Sequence, residues 1–65
     1  MNKIDRAEIE RIINDLEEKI RYAKQLEKEY EEARAWGMKG ACMESRRSYQ
    51  YCVDRLKELV KHGQD

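Results

Sequence analysis

The sequence predicts an all-α fold: an antiparallel two-helix hairpin with a longer first helix, two copies of which dimerise into a four-helix bundle. Three observations predict it. Proline and phenylalanine are both absent while 43% of residues are charged, a mix suited to long helices with solvated faces and unsuited to a β-rich fold. Apolar residues recur at steps of three and four through two long stretches, with Ile and Leu dominating the first, a regularity that disordered chains lack. One short break, Trp36-Gly37-Met38-Lys39-Gly40, separates those stretches and stands closer to the end of the chain than to its start.

The first helix is expected over about 5–36. Asp5 is placed to cap it with Glu8 at the third helical position, a capping box, and Ile4 is placed to staple onto Ile9. Ile9, Ile12, Ile13, Leu16, Ile20, Ala23, Leu26, Tyr30 and Ala33 form one apolar stripe, and the intervening residues are nearly all charged. Asp15 with Lys19 and Glu17 with Arg21 take the favourable i to i+4 order. Gly37 reads as the left-handed terminator, opening a turn over about 37–40.

The second helix is expected over about 41–62, with Gly40 as a weak cap. Its stripe is Cys42, Ser45, Tyr49, Cys52, Val53, Leu56, Leu59 and Val60. Lys61 and His62 suit the negative end of the helix dipole, and Gly63 ends the helix. Folding back at Met38 sets Ala33 against Ser45, Leu26 against Cys52 and Leu16 against Val60. Ile4, Ile9 and Ile12 then have nothing opposite and Ile13 little, an overhang of ~13 Å at 1.5 Å per residue. Burying even two of these side chains is worth ~1.5–3 kcal/mol each. These four isoleucines are therefore the expected homodimer interface, since residues 1–65 make a single domain whose core supplies only ~3–5 kcal/mol.

Composition narrows function by exclusion. Fourteen acids balance fourteen bases, so no overall field steers the chain to nucleic acid, although residues 1–32 carry −3 and residues 33–65 carry +3. No run approaches the ~20 apolar residues of a membrane span, and no signal segment is evident. A soluble, cytoplasmic protein is expected, with no membrane partner. Cys42 and Cys52 lie ~15 Å apart if helical, beyond disulfide reach. Both are expected to be reduced thiols buried on the stripe. With the lone His62 they lack the spacing of a zinc site, and His62 itself suits a solvated helix end. No metal, cofactor or catalytic constellation is visible, so an enzyme is not expected.

The turn lacks the Trp-x-Gly order of the secreted WXG-type hairpins, reading Trp36-Gly37-Met38 instead, and no Tyr-x-x-x-Asp/Glu signal follows. Binding of another protein is the expected function, as a regulator, inhibitor or adaptor that occludes or bridges a larger partner. The expected contact residues are Trp36, Met38, Met43, Arg46, Arg47 and Tyr51, which combine apolar anchors with forked cationic donors. A structural coiled-coil bundle without a client is the alternative, and weak nucleic-acid binding through Lys39, Arg46 and Arg47 comes third. A phage or mobile-element origin is expected on base rates alone.

Overall fold

The computed structural model describes residues 5–62. Within them two helices pack antiparallel, α1 over Arg6–Glu32 and α2 over Trp36–His62. Each has 27 residues. The expected longer first helix is thus corrected: α1 ends four residues before the expected position 36, and α2 begins five residues before the expected position 41. Asp5 caps α1 as expected, but among the described residues no Glu8 side-chain bond completes a capping box. Asp5 accepts the Ala7 N–H on its side chain at 3.1 Å, and its carbonyl accepts the Glu8 and Ile9 N–H groups at 3.0 Å. The Ile4 staple and the Gly63 stop lie outside the described residues.

The turn is Ala33-Arg34-Ala35 rather than residues 37–40. Ala35 donates its N–H to the Tyr30 carbonyl at 2.8 Å, and Arg34 donates to Glu31 at 3.0 Å. Those two bonds close a Schellman motif, which needs a left-handed residue at its centre. Arg34 supplies it at φ 58°, where glycine would be the usual choice. Neither glycine in the described residues has positive φ. Gly37 and Gly40 lie inside α2, and a Cβ added to either would meet open space. Ala35 immediately precedes α2, its carbonyl accepting the Lys39 N–H at 3.0 Å.

Moving the turn by about one helical turn slides α2 along α1 without rotating its face. Interhelical ion pairs join Glu27 to Arg46 and Glu17 to Lys57, so facing positions sum to 73 or 74 rather than 78. The overhang disappears. Ile9 and Ile13 are buried within the hairpin, beside Ile20 and Val53, with Leu16, Tyr49, Leu56 and Val60 packed around them. Two members of the expected dimer interface, Ile9 and Ile13, are therefore core residues of one chain. Ile12 is 43% exposed, because its neighbour Ile13 takes the inward position and adjacent residues point 100° apart.

The same rule corrects the thiols. Val53 is fully buried, which turns Cys52 out to solvent, while Cys42 is half-buried. The core is thin: Val53 alone among the described residues is fully enclosed.

Candidate functional site

The seam between the helices has two unlike flanks. One is laced with charge. Lys39 reaches Glu31 at 2.8 Å, Lys57 reaches Glu17 at 3.0 Å, and Arg46 forks onto both carboxylate oxygens of Glu27 at 2.5 and 3.3 Å. The Arg46 hydrogen bond holds the Glu27 carboxyl below its usual range, against the opposing effect of desolvation and with help from the charges of Arg46, Lys39 and Lys24. The same bond raises the Arg46 guanidinium above its ordinary value. Lys39 also sits 5.7 Å from the centre of the Trp36 ring, within cation–π range.

The other flank is apolar. An open groove of about 390 Å³ runs along it, lined by Lys19, Tyr22, Ala23, Leu26 and Tyr30 of α1 and by Met38, Ala41, Cys42, Ser45 and Tyr49 of α2. Three small residues (Ala23, Ala41, Ser45) and three tyrosines (Tyr22, Tyr30, Tyr49) are among its lining. Helical spacing extends the strip beyond the groove. Ile12 and Leu16 continue the α1 line in steps of three and four, and Cys52, Leu56 and Leu59 continue that of α2. Of the six exposed large hydrophobic residues among those described, Ile12, Tyr22, Met38 and Leu59 border this flank.

The two that remain, Trp36 and Tyr51, are 60% and 66% exposed on the outer side of α2. With Met43 and Arg47 they follow at intervals of seven, four and four, one stripe along the helix. The structure thus divides the expected contact residues. Trp36, Met43, Arg47 and Tyr51 share the outer stripe, Met38 turns into the groove, and Arg46 is held by Glu27. Tyr22, Ala23, Leu26, Tyr30, Ala41 and Tyr49 belong to a surface the sequence reading did not assemble. Its signal was present as a second apolar line, Ile12, Leu16, Ala23, Leu26 and Tyr30, beside the one that became the core.

His62 pairs with Glu58 at 3.2 Å, both exposed. Among the described residues no cluster of three or more His, Cys, Asp or Glu is placed to hold a metal ion, and no helix is long and apolar enough to cross a membrane. Comparison with known protein families, curated proteins and solved structures finds no match to this chain.

Proposed function

We propose that the chain is a small non-enzymatic protein-binding module, a regulator, inhibitor or adaptor that docks a rigid helical face on a larger protein. The observation that supports this reading is the outer stripe of α2. Trp36 and Tyr51 stand exposed there with Arg47 between them, and Trp, Tyr and Arg are the residue types that dominate binding hot spots. The fold that carries the stripe is, in this proposal, a dimeric four-helix bundle closed by self-association along the apolar flank of the seam. The free thiols of Cys42 and Cys52 fit a reducing, cytoplasmic setting.

A photo-crosslinking residue at Tyr51 tests the client. One stoichiometric adduct with a larger protein is expected, lost on Trp36→Ala while helicity is retained. Adducts formed only between copies of the chain would support the alternative reading, a structural bundle without a client. That alternative draws on the clustering of four exposed apolar residues along the seam.

A further inference from the structure

Resting on the proposed self-association, we infer that the apolar flank is covered by a second copy packed about a two-fold axis parallel to the helices. In that arrangement α1 lies against α2 of the partner and both turns are at the same end.

Surface area supports a second copy as the occupant. The chain exposes 5489 Å², against ~4,400 Å² expected for a compact monomer of 7.9 kDa. The excess is about 1,100 Å². The broad side of the hairpin, which shows both helices, measures 49 × 17 Å, or about 830 Å², close to the ~800 Å² that each partner contributes to a stable interface. One more hairpin on that side covers about three quarters of that excess.

Charge selects between the two ways of stacking hairpins with every neighbouring pair of helices antiparallel. α1 carries nine acids and six bases, a net −3, while α2 carries three acids and six bases, a net +3. Turns at opposite ends would stack α1 on α1, setting −3 on −3 and bringing Lys19, near the middle of α1, close to its own copy. Turns at the same end stack −3 on +3. With facing positions summing to about 73, Glu18 then meets Arg55 of the partner, and the exposed Tyr22 closes over the partner's Cys52.

Spin labels read the arrangement directly. In a chain with both cysteines changed to serine, labels go on Glu32→Cys near the turn and Glu10→Cys near the open end, both exposed sites. Dipolar distances between copies are measured at hundreds of micromolar. The expected result is a short distance, under ~30 Å, within each singly labelled sample. Mixing the two variants should add a longer one, since 22 residues of helix span ~33 Å. The inverse pattern, with long distances within samples and a short one on mixing, overturns the arrangement and leaves self-association standing. Absence of coupling between copies, with the mass of a monomer by light scattering, overturns the second copy as occupant and removes self-association from the proposed function.

Discussion

Moving the turn from the glycines to Arg34 has a consequence of opposite sign for three substitutions. A left-handed non-glycine residue costs ~1–2 kcal/mol, and Arg34 sits at φ 58°. Arg34→Gly removes that strain, less the ~0.4–1 kcal/mol lost to the greater freedom of glycine in the unfolded chain. A net gain of ~0.5–1 kcal/mol follows. Gly40 lies inside α2 with open space where a Cβ would stand, so Gly40→Ala gains a further ~0.5–1 kcal/mol. Gly37→Ala gains less, because Gly37 is in the first turn, where backbone donors are unpaired in any case. Set against the ~3–5 kcal/mol available to a core of this size, the Arg34→Gly, Gly40→Ala pair is a large change. It should raise the melting temperature by several degrees, at ~4–8 °C per kcal/mol. Thermal and urea unfolding followed by circular dichroism, at fixed chain concentration, measure it. Were the turn at residues 37–40, with a glycine in left-handed conformation, each Gly→Ala would lower stability and Arg34→Gly would weaken a helix interior. A drop in stability for both Arg34→Gly and Gly40→Ala refutes the turn described here.

Val53→Ala removes buried methyl groups from the best-enclosed core position and should destabilise the hairpin by ~2 kcal/mol, read from the same denaturant curves. The Glu27 carboxyl is held below its unfolded value of 4.5, so its contribution is present above that pH and is lost as pH falls through the lower folded value. Glu27→Gln should therefore flatten that part of the acid limb of the stability–pH profile, and an unchanged limb would remove Glu27 from it. In dilute chain Cys52 should react quickly with a thiol reagent and Cys42 more slowly, with Cys52 becoming protected at concentrations where copies associate. Trp36→Ala should cost a client complex ~2 kcal/mol or more, measured by calorimetry.

Both helices and their mutual packing were legible because a 3.6-residue period leaves a strong trace over 27 residues. Two things were not. The turn was hidden because its left-handed residue is an arginine, while two glycines a few positions on offered a more familiar stop. The inward face was blurred because apolar residues come in adjacent pairs: Ile12 with Ile13, Cys52 with Val53, Leu59 with Val60. Periodicity says that one of each pair faces α1 or α2 and the other stands beside it, but not which. Packing decides, and it sends Ile13 and Val53 in, leaving Ile12 and Cys52 as the start of a second surface.

The forked Glu27–Arg46 pair carries information out of proportion to its energy. A slip of α2 by one helical turn would leave every apolar stripe facing as before and would still offer Lys61 to Glu17. The same slip would bring Gln50 to Glu27 in place of Arg46 and Met43 to Glu31 in place of Lys39. Two of the three rungs on the charged flank therefore belong to the observed register alone. An ion pair at an open seam is worth little. Here it falls on a contact that distinguishes two otherwise similar hairpins, so Arg46 works as the tooth of a key, choosing the alignment that the apolar residues then fill.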